Sequence, residues 1–169
     1  MWRLLFASII IAVIVFAVIH TFLSNAVTSA LKRSLGTLSL LSVTYPAANL
    51  SSPEPFVEIN ITFTLTNPTD YPVTVETISI TFFVDRQDIG GISDDLLLDE
   101  EVQAGESAVF FFVQTVKEDN VLQSLMNPTF TLSGDGVVKG STHYFYFRTS
   151  STRIVAFSKT VPGALEAKS

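Results

Sequence analysis

Residues 4–23 form an uncharged run in which only Ser8, His20 and Thr21 are polar. As a helix rising 1.5 Å per residue, the run reaches about 30 Å, the thickness of a bilayer's hydrocarbon. It contains neither Pro nor Gly. A membrane span from Leu4 to Leu23 is therefore expected, with lipid as its partner. The rival is a cleaved signal peptide, since Ser24-Asn25-Ala26 resembles a small-x-small cleavage site. Signal cores are usually about 7–15 residues, shorter than this run.

The helical pattern continues past the run. Leu23, Val27, Leu31 and Leu35 recur every fourth residue, and Lys32 and Arg33 sit where cations favour a helix C-terminus. Gly36 is a natural stop. A transmembrane and stalk helix over residues 1–36 is predicted. Its apolar stripe, with Val27 and Leu31 at the centre, needs an interface: its own domain or a neighbouring helix. Ser8 and Ala12 make a small-xxx-small pair, a weak signal for helix pairing.

Charge is distributed unevenly. Beyond Arg33 lie sixteen acids against seven bases, a net −9. An acidic domain does not suit nucleic acid. The chain has no cysteine, which excludes disulfides and thiolate chemistry. Orientation is read from two sequons, Asn49-Leu50-Ser51 and Asn60-Ile61-Thr62. Asn49 and Asn60 are glycosylation acceptors only on the extracytoplasmic side. Arg3 on one flank and Lys32-Arg33 on the other leave the positive-inside count without a preference for that side.

From Thr37 the period changes to two. Val57, Ile59, Ile61, Phe63 and Leu65 alternate with polar residues, as in a strand with one buried face. A strand over 73–85 follows the Asn67–Pro72 corner, with Ile78, Ile80, Phe82 and Val84 on one face. Turns are expected at Asp88–Gly91, Gln103–Glu106 and Gly134–Gly136, and a short helix at Glu118–Met126. Further strands are expected at 107–116, 129–133, 143–148 and 153–157. The spacing predicts a mainly β fold over residues 37–158. This is an antiparallel sandwich, immunoglobulin- or fibronectin-like, of seven or eight strands with one short helix. A flexible tail is expected over 159–169.

The residues Phe63-Thr64-Leu65-Thr66-Asn67-Pro68-Thr69-Asp70-Tyr71-Pro72-Val73, then Ile78–Val84, carry a resemblance. So do Gln103-Ala104-Gly105-Glu106-Ser107 and Phe130–Gly134. They resemble the WHy domain, the water-stress and hypersensitive-response domain of some late-embryogenesis-abundant proteins. The chain departs from that pattern at Asp85-Arg86-Gln87-Asp88, where the family has Asn/Asp-Gly. The resemblance covers roughly residues 42–157. It implies a β-sandwich without catalytic residues and an association with stress tolerance, sometimes beneath a membrane anchor. From the residues alone, Asn67 and the two prolines serve as a structural corner.

No catalytic constellation is legible. There is no nucleophile elbow, phosphate-binding loop or His-Glu-x-x-His. Asp94, Asp95, Asp99, Glu100 and Glu101 lack the spacing of a calcium loop and read as a solvated acidic loop. His20 reads as interfacial and His143 as structural. A non-enzymatic membrane-anchored protein without cofactor or metal is expected. It serves either a structural, stress-protective role in the envelope or as an accessory subunit of a larger complex, filament or stator.

Two strands are apolar on both faces, which points to a protein partner or self-association. In the 107–116 strand, Phe110 and Phe112 face away from Val109, Phe111 and Val113. In the 143–148 strand, Tyr144 and Tyr146 are expected to form an exposed interface, with Phe145 and Phe147 in the core. The chain's own helix is the alternative cover for the tyrosines.

Overall fold

The computed structural model describes residues 2–92, 97–144 and 146–164. A long helix, α1 (Trp2–Leu35), leads into a sandwich of two antiparallel sheets. In the first sheet, β3 (Phe56–Thr66) is central. β1 (Ser39–Thr44) and β2 (Ala48–Asn49) share one of its edges, and β7 (Ser107–Val116) pairs along the other.

In the second sheet, β4 (Val73–Val84) carries β5 (Gln87–Ile92) and β6 (Leu97–Val102) on one edge. Its other edge pairs with β8 (Thr129–Tyr144), which pairs in turn with β9 (Phe147–Pro162). The expected mainly β sandwich behind a long helix is the observed architecture.

Alternation builds the core. Val57, Ile59, Ile61, Phe63 and Leu65 of β3 are buried against Ile78, Ile80, Phe82 and Val84 of β4. Phe63 lies at the centre, with ring centroids 6.1 Å from Phe82, 5.8 Å from Phe112 and 5.3 Å from Phe157. Val73 and Val75 are buried too, although they are out of phase with Ile78. A bulge between Val75 and Thr77 interrupts the ladders to both β6 and β8. The extra residue shifts the alternation by one, so both segments face inward.

The short helix α2 (Asp119–Met126) matches its expected position and buries Val121, Leu122 and Leu125.

Three expected boundaries are corrected. The turn after β4 falls at Asp85-Arg86, with φ of 47° and 73°, rather than at Asp88–Gly91, which belongs to β5. Left-handed backbone at both central residues is the geometry a two-residue hairpin needs, here achieved without Asn-Gly. Asp85 Oδ1 accepts the Thr131 N–H at 2.8 Å and holds the turn.

Gly134 and Gly136 make no turn; they lie within β8. A Cβ at Gly134 would come 2.6 Å from the Phe157 ring, and one at Gly136 would strike the Ser79 carbonyl. Their role is close approach.

The tail is also shorter than expected. β9 runs through Lys159 to Pro162, Val161 is buried, and Ala164 donates its N–H to the Leu125 carbonyl at 2.8 Å. Tyr45 Oη donates to the Pro162 carbonyl at 2.7 Å, and burial pushes its phenol pKa up. Residues 165–169 lie outside the described residues.

Candidate membrane-proximal site

The first half of α1 is apolar on every side, the pattern of a helix surrounded by apolar material. From Phe6 the helix is long and apolar enough to cross a membrane, and no residue of its most apolar window is buried by the rest of the chain. Phe6, Phe16 and Phe22 are exposed.

The second half carries the stripe, and the stripe is docked. Val27, Leu31 and Leu35 are buried, and α1 packs on β8, β9, β3 and β4. A Cβ at Gly140 of β8 would lie 2.9 Å from Leu35 Cδ2, so the missing side chain admits the helix. Thr28 Oγ1 and Thr149 Oγ1 are hydrogen-bonded at 3.1 Å. Of the two covers expected for Val27 and Leu31, the chain's own domain or a neighbouring helix, the first is observed: α1 docks mainly on the β8–β9 hairpin. Gly140 makes room for the last residue of the stripe, Leu35.

Asn67 locks this junction. It is fully buried at the Asn-Pro corner. Its Oδ1 accepts from Ser34 Oγ at 2.8 Å and Thr69 Oγ1 at 2.7 Å. Its Nδ2 donates to the carbonyls of Tyr71 and Val102 at 2.7 and 3.0 Å. One side chain thus joins the last turn of α1 to the corner and to the end of β6. Low dielectric strengthens such a network and makes each lost member costly.

The far end of the hairpin reaches back along α1. β4 pairs with β8 only as far as Ser141, so residues 142–144 pair with β9 alone. At this overhang Phe147 lies 4.4 Å from the His20 ring, and Tyr144 lies 5.7 Å from Phe147. Phe16 stacks on His20 at 6.2 Å. An apolar crevice of about 440 Å³ opens between helix and hairpin, lined by Phe16, Ile19, His20, Leu23, Tyr146 and Phe147.

The expected tyrosine pair is therefore split. Tyr144 is buried and only Tyr146 is fully exposed, while Phe147, expected in the core, is 41% exposed. Phe145 lies outside the described residues. The reason is topological: the expected strand over 143–148 is the hairpin bend itself, where β8 gives way to β9. Alternation does not carry through a bend. His20 as an aromatic contact for the hairpin had no signal in the sequence beyond its place near the end of the apolar run.

The outer face of the same hairpin carries Lys139 and Arg148. Glu76, at the bulge, is nearly buried and meets Arg148 at 2.6 Å and Lys139 at 3.1 Å. Burial pushes its carboxyl pKa up, but hydrogen bonds from Ser141, Lys139 and Arg148 and the Lys139 charge together hold it below the ordinary value. This is an ion cluster of one carboxylate between two cations, with the Ser141 hydroxyl accepting from Arg148 at 3.0 Å.

Of the acidic loop, Asp94 and Asp95 lie outside the described residues. Among the described residues no three His, Asp or Glu side chains converge on a metal position. Asn49 is exposed at the edge of the first sheet, whereas Asn60 is half-buried in central β3, between Thr44 and Val113. On β7, Phe110 and Phe112 are buried, and Val109, Phe111 and Val113 form an exposed apolar row.

No family model and no curated protein matches the chain. Among solved structures, an X-ray structure of a Northeast Structural Genomics Consortium target, SoR45, is similar. It has a TM-score of 0.50 and 11% identity, over 79% of this chain and 91% of that one. A crystal structure of a protein from Archaeoglobus fulgidus aligns with a TM-score of 0.36 and 12% identity, over 73% of this chain and 98% of that one. A solution structure from Arabidopsis thaliana aligns at 0.38 and 16%, over 71% and 80%. The likeness to the first is one of β fold.

Proposed function

We propose that this chain is a non-enzymatic, single-pass membrane protein that holds a β-sandwich rigidly against the extracytoplasmic face, in a structural or interaction role in the cell envelope. One observation carries the reading. α1 is continuous from its uncovered apolar half into the Val27–Leu31–Leu35 seat, with Ser34 bonded to Asn67. An anchor joined to its domain through a helix and a buried polar network fixes the domain's height and orientation over the bilayer. A flexible linker would do neither. The exposed sequon at Asn49 supports the outward side. The Asn67–Pro72 corner, on which the WHy resemblance rests, is the same buried knot and supports a WHy-type protein with a stress-protective role.

A second reading, an accessory subunit of a larger membrane assembly, is favoured by one feature. Val109, Phe111 and Val113 line up outward on β7, and exposed apolar rows of this kind mark interaction surfaces. Alkaline carbonate extraction of membranes containing the full chain tests the anchor. Retention in the pellet is expected, and release into the supernatant refutes it. Purification in mild detergent then separates the two roles. A lone monomer speaks for the free-standing protein, and a stable co-purifying partner for the assembly.

A further inference from the structure

We infer that the β8–β9 hairpin tip is a second membrane contact: Tyr146 and Phe147 enter the boundary between headgroups and acyl chains, and lipid fills the crevice beside α1. The inference rests on reading α1 as a span, and it follows from length and packing. The tip packs on His20 and borders Phe16, Ile19 and Leu23, which belong to the apolar run itself. The charge of Arg3 bounds that run at its other end.

Suppose the tip stood in water. Phe16 would then be in water too, and the hydrocarbon would have to be crossed by residues 4–15, about 18 Å of helix. A bilayer's hydrocarbon is about 30 Å thick. The helix therefore carries the tip down to the level of the lipid.

The chemistry of the tip suits that level. Tyr146 is fully exposed and Phe147 partly so, and aromatic side chains concentrate at membrane–water interfaces. The crevice walls are almost wholly apolar side chains, with no Asp, Glu, Lys or Arg among them. The nearest cations on the hairpin's outer face, Lys139 and Arg148, are paired with Glu76. The contact is therefore apolar and needs no anionic headgroup.

The chain has no cysteine, so one introduced cysteine carries a unique label. The full chain with Tyr146→Cys, bearing a nitroxide, is reconstituted into phosphatidylcholine vesicles. Collisions with oxygen, which partitions into lipid, are compared with collisions with a water-soluble nickel complex. Lys117→Cys, at an exposed charged position just past β7 of the other sheet, gives the aqueous reference. The expected oxygen-to-nickel ratio at position 146 is several-fold above that at position 117. Phe147→Cys repeats the reading should Tyr146→Cys express poorly.

Equal ratios at 146 and 117 put the tip in water and overturn the inference. Low accessibility to both reagents means that protein, such as a second copy's helix, fills the crevice, and overturns it as well. Release of the vesicle-bound chain by carbonate removes the span reading first and the inference with it. An integral chain with an aqueous label removes the inference alone.

Discussion

The two halves of α1 share one helical backbone and have opposite surroundings. Residues 6–22 are apolar all round and meet almost nothing of the chain, apart from the hairpin tip at Phe16, Ile19 and His20. Residues 23–35 carry a single apolar stripe, flanked by Ser24, Asn25, Thr28, Ser29, Lys32 and Arg33, and that stripe is buried in the sandwich. The difference follows from the width of the apolar surface. A narrow stripe can be satisfied by one neighbouring element, here a hairpin. A full apolar circumference has to be surrounded on every side, by lipid or by several apolar elements at once. The boundary between the uncovered and the docked helix thus lies near Leu23, inside the helix, and not at Gly36, where the helix stops.

Truncation is the largest way to break that comparison. A chain beginning at Leu23 is expected to be soluble and β-rich. One beginning at Gly36 loses Leu31, Leu35 and the Ser34 partner of Asn67, and is expected to aggregate. Size-exclusion chromatography and far-UV circular dichroism of the two chains check this, and equal behaviour would erase the distinction between the halves.

Point substitutions sharpen it. Leu31→Ala leaves a cavity under β8–β9 and is expected to cost the domain about 2–5 kcal/mol. Ile11→Ala, three-fifths exposed in the first half, is expected to change domain stability by less than about 0.5 kcal/mol. Urea unfolding of the full chain in detergent, followed by the β signal, measures both.

An effect well below that of Leu31→Ala belongs to the ion cluster on the same hairpin. Glu76 has its pKa held below the ordinary glutamate value. Its ion cluster therefore stabilises the fold fully above the unfolded value, and the contribution fades as pH falls through Glu76's own, lower value. Lys139 and Arg148 are about half exposed, so solvent screens the pair. Glu76→Gln is expected to cost under about 1 kcal/mol at neutral pH, and nothing at the acid end. Stability of the two proteins measured across an acid titration would show their curves merging at low pH; a constant gap would mean that packing, not charge, holds Glu76.

Much of this was legible in the residues because it is local. The uncharged run, the stripe at Leu23, Val27, Leu31 and Leu35, the alternation of β3 and the helix at 118–126 each follow from a period that a short window displays. The corner at Asn67 was legible as a turn. Its grip on Ser34 and on the end of β6 was not, because those partners lie 33 and 35 residues away.

The hairpin bend was misread for a related reason. Tyr144 to Phe147 alternate in aromatic type as a strand would, and no Gly or Asn marks the turn. The glycines that looked like the turn, Gly134 and Gly136, are there because Phe157 and the Ser79 backbone come too close for a side chain.

By itself, the sequence determined which surfaces of this protein are apolar: one whole helix half, one stripe, and one or both faces of each strand. Only the tertiary structure decided which of those surfaces cover one another. It set the stripe on the β8–β9 hairpin, buried Tyr144 while leaving Tyr146 free, and left the β7 row uncovered. The physical reason is that apolar burial has no direction of its own. A stripe is satisfied by any complementary surface, and chain topology, with the space that Gly140 opens, selects the one it meets.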